Sequence, residues 1–258
     1  MRIVGILPAR MGSSRFPGKP LAPILGRPMI EHVYYRTAGC SLLESVYVAT
    51  CDEEIREGVE RFGGKVIMTS PAHQRASDRV AEAAEGLSAD IVVMVQGDEP
   101  MLVPSMVEAA VAPMLEDPSI QCVNLAKRIE TEEEYTDPNT IKVVMDRRGD
   151  ALYFSREPVP TKRVLDFASI PVFKQVCIIP FRRDFLLQYA RLEPTALEMA
   201  ESVDMLRALE HGYRVRLVET PFNTHAVDTP ADLAMVESLM AQDPVAQSYV
   251  GQTGAEQT

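Results

Sequence analysis

Short apolar segments alternate with amphipathic helical segments through the first half of the chain, and this alternation limits the folds open to it. The segment 91–96 is almost continuously apolar, which is typical of a strand buried on both faces. Strands followed by helices after short connections favour a parallel sheet with helices on both faces. We therefore predict an α/β fold with a mostly parallel central sheet, with strands over 3–7, 45–50, 65–68 and 91–96 and helices over 29–38, 53–62, 77–87 (capped by Ser77) and 104–115.

The pattern becomes less regular after about residue 121. Apolar segments predict strands over 121–127, 141–145, 152–155, 174–180 and 215–219, and helices over 182–191, 198–211 and 229–240. We detect no repeat or linker, so residues 1–241 are interpreted as one domain. Residues 242–258 are small and polar, which predicts a flexible tail.

Composition excludes several classes of function. The 258 residues carry a net charge of −11, so no basic excess is available to bind a nucleic-acid backbone, and we expect no such partner. No apolar run approaches the roughly 20 residues of a membrane span, so no membrane contact is expected. The four cysteines have neither metal-site nor redox-pair spacing, and no signal peptide is evident, which predicts a cytoplasmic protein.

The loop after the first predicted strand has the features of a phosphate cradle. It contains three cations, Arg10, Arg15 and Lys19, among small residues that allow backbone N–H groups to approach an anion. In α/β sheets, ligands bind beyond the carboxyl ends of the strands, where this loop lies. The loop is not a P-loop, since Pro20 follows Lys19, and it lacks Gly-x-Gly-x-x-Gly. We interpret it as a triphosphate site.

Two aspartates follow or precede predicted elements in positions suited to magnesium. Asp98 comes just after the buried strand 91–96, and Asp228 comes just before the helix 229–240. Taken singly, Asp98 is an ordinary turn residue and Asp228 an ordinary partner of a helix N-terminus. Together, near a phosphate loop, they supply the carboxylate oxygens that Mg²⁺ uses alongside phosphate. Gln96 offers an amide donor and acceptor for a pyrimidine base.

Several segments together resemble one family. The segments LPARMGSSRFPGKPL (7–21), VAT (48–50), VQGDEP (95–100), ALYFSR (151–156), LRALE (206–210) and VDTP (227–230) are similar to those of the 3-deoxy-manno-octulosonate (Kdo) cytidylyltransferases. The resemblance implies a Rossmann-like nucleotidyltransferase fold. It also implies that an acceptor oxygen attacks the α-phosphorus of CTP, so that CMP is transferred and pyrophosphate leaves.

The resemblance implies a role for several residues, of which Arg75, Gln175 and Asp204 differ from the family residue at the corresponding position. The catalytic set is Arg10, Arg15, Lys19 and Asp98, and the other nucleotide-binding residues are Leu7, Ala9, Gly12, Ser13, Arg75, Ser77 and Gln96. Mg²⁺ is assigned to Asp98 and Asp228. The acceptor-binding residues are Arg156, Gln175, Glu198, Glu201 and Asp204. A subregion spanning 150–195 is expected to form an acceptor-pocket wall and a homodimer interface.

The acceptor pocket departs from the family pattern. Gln175 and Ile179 stand where the family has histidine and tyrosine, and Met205 stands where it has glutamine. Losing polar partners leaves substrate hydroxyl groups unpaired, which favours an acceptor with fewer of them. Two small anionic acceptors therefore remain open: Kdo or a related 2-keto-3-deoxy sugar acid, and a small phosphonate such as phosphonoformate.

Readings from other classes also remain at this point. One is a nucleotide-binding protein without catalytic activity, and others are a transferase that uses UTP or GTP and a glycosyltransferase. The glycosyltransferase reading lacks its usual Asp-x-Asp motif, since Asp98 is followed by Glu99 and Pro100. Pyrophosphate release from CTP with candidate acceptors distinguishes a transferase from a binding protein.

Overall fold

A five-stranded sheet forms the centre of the molecule. The computed structural model describes residues 1–12 and 15–250. The central sheet has the spatial order β11-β6-β1-β4-β5, in which the first four strands along the chain are mutually parallel and the last is antiparallel to its neighbour. These strands are β1 (Ile3–Pro8), β4 (Ser45–Thr50), β5 (Val66–Met68), β6 (Ile91–Val95) and β11 (Ile178–Arg182). The predicted α/β fold with a mostly parallel sheet is confirmed.

Both faces of the central sheet are buried. Val92 and Met94 point into one apolar cluster, and Val93 and Val95 point into another on the opposite face. Successive side chains of a strand point to opposite faces, so a strand covered on both sides must be apolar at every position. The covering elements include α1 (Met29–Ala38), α2 (Glu53–Arg61), α3 (Ala76–Glu85), α4 (Pro104–Glu116) and α6 (Arg183–Tyr189).

A second sheet is mainly antiparallel. Its spatial order is β12-β7-β10-β8-β9, and only the first of these pairs is parallel. The strands are β7 (Val123–Arg128), β8 (Lys142–Met145), β9 (Ala151–Ser155), β10 (Phe173–Val176) and β12 (Arg216–Glu219). An isolated bridge between Cys122 and Phe181 joins this sheet to the central one.

The segment 174–180, predicted as one strand, is part of two. β10 ends at Val176 and β11 begins at Ile178, so the chain changes sheets at Cys177. The Cys177 carbonyl accepts from the Gln96 N–H at 3.1 Å, and the Cys177 N–H donates to the buried Glu99 carboxyl at 3.3 Å. The crossing point between the sheets therefore lies against the segment that carries Asp98.

The predicted helix over 198–211 is likewise interrupted. The structure has α7 (Ala196–Glu201) and α8 (Met205–Glu210), separated by Ser202 in the left-handed region at φ 54°. The remaining elements are a short hairpin of β2 (Pro23–Ile24) and β3 (Arg27–Pro28), 3-10 turns at Lys19–Leu21 and Phe167–Ser169, α5 (Glu132–Thr136), α9 (Pro230–Met240) and α10 (Pro244–Val250).

The segment predicted as a flexible tail begins with a packed helix. Ala246 of α10 is fully buried, and the Tyr249 hydroxyl lies 3.1 Å from Arg36 Nε and 2.9 Å from His32 Nδ1. Burial lowers the pKa of His32 to about 4, so its ring is neutral at pH 7 and donates from Nε2 to the Ile24 carbonyl at 2.8 Å. The sequence signal was weak because a seven-residue helix offers too few turns for a periodic pattern, and residues 251–258 lie outside the described part.

The carboxyl ends of β1 and β6 lead into the two segments that the sequence singled out. β1 ends at Pro8, directly before the cationic loop, and β6 ends at Val95, directly before the segment with Asp98. Neighbouring parallel strands place these ends side by side. Over residues 1–12 and 15–250, the structure has no helix with the length and apolar character needed to cross a membrane.

Candidate active site

A cleft of about 320 Å³ opens where these strand ends meet. It is bounded by the cationic loop, by the start of α3 and by the segment after β6. The lining residues are Pro8, Ala9, Arg10, Arg15, Lys19, Pro20, His73, Gln74, Arg75, Ala76, Arg79, Gln96, Gly97, Asp98 and Asp228. The sequence prediction of a ligand site at this edge of the sheet agrees with the position of the cleft.

The charge of the cleft is opposite to that of the whole protein. Among the described residues of its lining, five are Arg or Lys and two are carboxylates, whereas the chain carries a net charge of −11. A concave site lined by one sign of charge concentrates ligands of the opposite sign. The cleft is therefore suited to a small polyanion.

Short backbone contacts fix both ends of the cationic loop. The Met11 N–H donates to the Asp52 carboxylate at 2.7 Å, and the Gly18 N–H donates to the Met11 carbonyl at 3.0 Å. Gly18 has φ 74°, a conformation that other residues rarely adopt, and it directly precedes the 3-10 turn that carries Lys19. The loop thus returns Lys19 to the mouth of the cleft, with Arg10 exposed there.

Lys19 joins the two aspartates. Its ammonium lies 2.8 Å from Asp98 Oδ2 and 3.1 Å from Asp228 Oδ1, and it donates to the Val227 carbonyl at 2.8 Å. Burial acts to lower the pKa of Lys19, but the two carboxylates outweigh burial, so its pKa is raised. Lys19 stays charged and neutralises much of the repulsion between the aspartates.

The two aspartates come from distant parts of the chain and are held together by backbone contact. Asp98 follows β6, and Asp228 precedes Thr229, which caps α9 by accepting from the Asp232 N–H. The Val227 N–H donates to the Asp98 carbonyl at 2.9 Å. This bond fixes the distance between the two segments and so brings both carboxylates to one ammonium.

The donor set fits a hard cation that is shared with a ligand. Mg²⁺ binds carboxylate oxygens and usually completes its shell with phosphate oxygens and water. Within the described residues, no group of three or more His, Cys, Asp or Glu side chains is arranged to hold a metal alone. Asp98 and Asp228 therefore suit a magnesium ion that arrives with a phosphate ligand, and a cage built from protein groups alone is not what these residues form.

The structure divides the predicted nucleotide-binding residues into two groups. Those that line the cleft are Ala9, Arg10, Arg15, Lys19, Arg75, Gln96 and Asp98. Of the other described residues, Leu7, Gly12 and Ser77 do not line it, and Ser13 lies outside the described part. The Leu7 side chain is fully buried in the core beneath the strand end, so that prediction is corrected for its side chain.

Gly97 explains why the backbone can turn closely at the base of the cleft. A Cβ on Gly97 would lie 3.1 Å from the Ile30 side chain and 3.2 Å from the Pro8 carbonyl oxygen. The Pro8 contact is the tighter constraint, because backbone cannot move aside as easily as a side chain. A side chain here would push β1 away from the Asp98 segment.

Ser77 has a role that differs from the predicted one. It lies inside α3, which begins at Ala76, and it is fully buried. Its hydroxyl donates to Asp204 Oδ2 at 2.7 Å. Burial raises the pKa of Asp204, and Arg75 lies 3.7 Å from the same carboxylate. Ser77 therefore joins α3 to the start of α8 and does not cap its helix.

Arg75 faces both the cleft and the α7–α8 turn. Its guanidinium donates to Ser202 Oγ at 2.9 Å and lies 3.6 Å from Glu198. Of the predicted acceptor residues, Asp204 and Glu198 are thus near Arg75, although neither is among the described residues that line the cleft.

Glu198 forms a buried ion pair. Its side chain is 1% exposed, and its two oxygens accept from Arg207 Nε at 2.8 Å and Nη2 at 2.6 Å. Arg207 also contacts Asp78 at 2.9 Å and lies over the Tyr189 ring. Both oxygens of this buried carboxylate contact Arg207, so the structure does not support the prediction that Glu198 binds the acceptor.

Arg156 and Glu201 lie together at the end of β9. Glu201 accepts from the Ser155 hydroxyl at 3.0 Å and from the Arg156 N–H at 2.7 Å, and these bonds lower its pKa against the effect of burial. Gln175 lies in the second sheet and donates to Asn124 at 2.6 Å. None of these three is among the described residues that line the cleft.

The structure adds residues that sequence reasoning did not assign. Gln74 and Arg79 line the cleft beside Arg75, Asp52 holds the cationic loop, and Asn139 contacts Arg15. Gln74 and Arg79 belong to a polar stretch beside the predicted Arg75, and their polar character was the available signal. Asp52 and Asn139 had no signal, because each acts on a residue distant in the chain.

Glu99, the residue after Asp98, has a buried carboxyl group. It is 6% exposed, and its Oε2 atom has no hydrogen-bond partner among residues 1–12 and 15–250. Burial and the nearby Asp98 charge raise the pKa of Glu99 to about 7. The folded state thus keeps the Glu99 proton up to about pH 7, while the unfolded chain releases it near pH 4.5.

We expect Glu99→Gln to reduce the pH dependence of stability. The raised folded-state pKa makes the stability of the wild type fall between pH 4.5 and about 7. The unfolding free energy of the variant, relative to that of the wild type, should therefore be about 2–3 kcal/mol greater at pH 8 than at pH 5. Urea denaturation of both proteins at the two pH values, in EDTA, measures this difference. An equal difference in unfolding free energy at both pH values would contradict the titration of Glu99.

Comparisons with known proteins fit the fold and the cleft. A family model described as cytidylyltransferase matches residues 4–228. The chain is 49% identical over 245 residues to 3-deoxy-manno-octulosonate cytidylyltransferase of Geobacter metallireducens, covering 92% of this chain and 96% of that protein. It is 46% identical to the protein of the same name from Solibacter usitatus, covering 92% and 94%.

The chain is also similar to solved structures of enzymes named for cytidine-nucleotide products. CMP:2-keto-3-deoxy-manno-octonic acid synthetase complexed with CTP has a TM-score of 0.88 and 42% identity, covering 94% of this chain and 99% of that one. The 4-diphosphocytidyl-2C-methyl-D-erythritol synthase of Anaerococcus prevotii has a TM-score of 0.61 at 12% identity, covering 93% and 99%, and it shares the fold alone.

The fold and the cleft define an α/β nucleotidyltransferase. The family match and the close relatives identify its family: the chain belongs to the cytidylyltransferases. The prediction of an enzyme with this activity is confirmed.

Proposed function

We propose that this protein transfers CMP from CTP to Kdo or a related 2-keto-3-deoxy sugar acid, with release of pyrophosphate. The observation that carries the proposal is the cationic cleft in which Lys19 joins Asp98 to Asp228. The relatives that share nearly half of its residues are named for the Kdo reaction, and a similar solved structure was complexed with CTP.

Three cations serve the phosphate end of the nucleotide in this proposal. Arg10, Arg15 and Lys19 lie on one loop and all line the cleft. The acceptor hydroxyl gives its proton to water and its oxygen bonds to the α-phosphorus, while the bond from that phosphorus to the bridging oxygen breaks and the electron pair leaves with pyrophosphate. Cations fixed at the developing charge lower the barrier because they need no reorganisation during the reaction. Gln96, also in the cleft, is assigned to the cytosine base.

Magnesium is assigned to Asp98 and Asp228. When bound, Mg²⁺ supplies positive charge that polarises a phosphate oxygen and neutralises the leaving pyrophosphate. The carboxylates of Asp98 and Asp228 would hold it, and the Val227–Asp98 backbone bond keeps the two segments together. Lys19 contacts both carboxylates and offsets part of their mutual repulsion.

The acceptor is assigned to the side of the cleft near Arg75 and Arg156. Arg156 would bind the acceptor carboxylate, and Glu201, Gln175 and Asp204 would contribute polar contacts. The relatives named above act on Kdo, so the comparisons favour a sugar acid over a small phosphonate. Because the residues at 175, 179 and 205 differ from the family pattern, both the sugar acid and the phosphonate should be tested as acceptors.

We also propose that two copies pair through the 150–195 subregion. Leu152, Val164 and Leu165 are 63%, 88% and 54% exposed there. Exposed apolar side chains concentrated in one region are typical of an interface. Light scattering should give twice the monomer mass, and a mass of 28.6 kDa would contradict the pairing.

A pyrophosphate-release assay tests the function. The protein is incubated with Mg²⁺, one nucleotide (CTP, UTP or GTP) and one acceptor (Kdo or phosphonoformate), with acceptor-free and EDTA controls. We expect release with CTP and Kdo only, and formation of CMP-Kdo. Release with phosphonoformate alone would reassign the acceptor. Binding of CTP without release by any acceptor would leave a nucleotide-binding protein.

A further inference from the structure

The loop 137–140, which leads into the second sheet, contacts the cationic loop that follows β1 of the central sheet. Arg15 Nη1 donates to Asn139 Oδ1 at 2.7 Å, while its Nη2 lies 3.1 Å from Asp228 Oδ1. The guanidinium is thus held at two points, one in the cleft and one outside it. Asn139 is exposed and distant in sequence, and it is not among the described residues that line the cleft.

The Asn139 side chain is itself oriented by its own loop. Its Nδ2 donates to Asp137 Oδ1 at 3.0 Å, and its backbone N–H donates to the same oxygen at 2.9 Å. With its amide nitrogen occupied by Asp137, the amide can present only its oxygen to Arg15. That oxygen is the atom a guanidinium requires.

A buried lysine fixes the loop to the second sheet. Lys142 is fully buried, and its ammonium donates to the carbonyls of Asp137 at 2.8 Å, Thr140 at 2.6 Å and Arg156 at 2.5 Å. Three acceptors match its three N–H groups. Burial lowers the pKa of Lys142. The loop 137–140 is therefore a rigid support.

The same loop touches the proposed acceptor residue. Arg156 Nη1 donates to the Pro138 carbonyl at 3.0 Å, and Arg156 Nε donates to the Glu201 carbonyl at 2.7 Å. The residues Pro138 and Asn139 are adjacent, so one rigid loop contacts Arg156 on one side and Arg15 on the other.

From these contacts we infer that Asn139 is a positioning residue, which holds Arg15 in place for the β- and γ-phosphates of CTP. The inference rests on the proposed function, because it assumes that Arg15 binds the triphosphate. Asn139 does not touch the nucleotide. It fixes one end of the guanidinium, so that Arg15 is already ordered before the nucleotide binds.

The test compares binding of CTP and CMP by calorimetry in wild type, Asn139→Ala and Arg15→Ala. CMP lacks the two outer phosphates. Asn139→Ala should therefore weaken the binding of CTP about tenfold and the binding of CMP less than about twofold. If Asn139 only supported the fold, Asn139→Ala would weaken the binding of both nucleotides equally. Thr136→Ala, at an exposed residue of α5 nearby, is the matched control and should bind both nucleotides normally.

The double variant Arg15→Ala/Asn139→Ala completes a double-mutant cycle that measures the coupling between the two residues in CTP binding. We expect the second substitution to cost less than about twofold once Arg15 is absent, because the two residues act through one contact. A further tenfold loss, or normal CTP binding by Asn139→Ala, would overturn the inference while leaving the role of Arg15 intact. Normal CTP binding by Arg15→Ala would instead refute the proposed role of Arg15, and the inference with it.

Discussion

Asp98→Asn should lose about 10³-fold or more in kcat in the presence of Mg²⁺, with its fold intact. The amide has the shape of the carboxylate and can still accept from Lys19, which now approaches Asp98 at 2.8 Å. It cannot supply the negative charge that Mg²⁺ requires. Asp228→Asn should behave in the same way, because both aspartates contact the same ammonium.

Steady-state assays across a magnesium titration measure the effect. Asp184→Asn is a matched control, since the Asp184 side chain is 99% exposed, and it should retain full activity. Circular dichroism melting curves establish that each variant is folded. A kcat for Asp98→Asn within about tenfold of wild type would contradict the assignment of the metal to this pair.

Arg207→Met should lower the free energy of unfolding by about 3–5 kcal/mol. The substitution leaves Glu198 with its charge in the interior at 1% exposure, without its two-point partner. It also removes the contact with Asp78 at 2.9 Å and the stacking over Tyr189. Removing one member of a buried pair costs more than the pair itself contributes.

Urea denaturation at pH 7 measures this loss. Arg148→Met, at an exposed turn residue, is the control and should change stability by less than about 0.5 kcal/mol. If Glu198 instead served the acceptor and not the fold, Arg207→Met would change stability as little as the control does. That result would return Glu198 to the proposed acceptor site.

Much of the site was predictable because it follows from one rule of α/β sheets. The cationic loop follows β1, and Asp98 follows its neighbour β6, so their meeting at one edge was expected from the strand pattern alone. Asp228 was predicted from its place just before a helix, and the resemblance supported that prediction. Its place beside Asp98 depends on the Val227 backbone bond, which no local pattern reveals.

The predictions for Glu198 and Ser77 differ from the structure because their partners come from outside the same helix. Glu198 reads as a helix residue with a free carboxylate, because the left-handed turn at Ser202 that brings Arg207 back to it has no sequence signature. Ser77 reads as a cap, because a serine at a predicted helix start is a common N-cap, and its partner Asp204 lies 127 residues away. Tertiary contacts override local preference at both positions.

The short elements escaped prediction for a different reason. α10 buries one side through Ala246 and Tyr249, and a seven-residue helix offers too few turns for a periodic pattern. The break at Cys177 separates strands of two sheets within one apolar run, and apolar character alone cannot reveal a change of sheet.

The most direct test of the whole account is a crystal soaked with CTP and Mn²⁺, examined by anomalous scattering. We expect a manganese peak bound by Asp98 and Asp228, with the triphosphate contacting Arg10, Arg15 and Lys19. A triphosphate bound away from the cationic loop, or a manganese peak remote from both aspartates, would contradict the account.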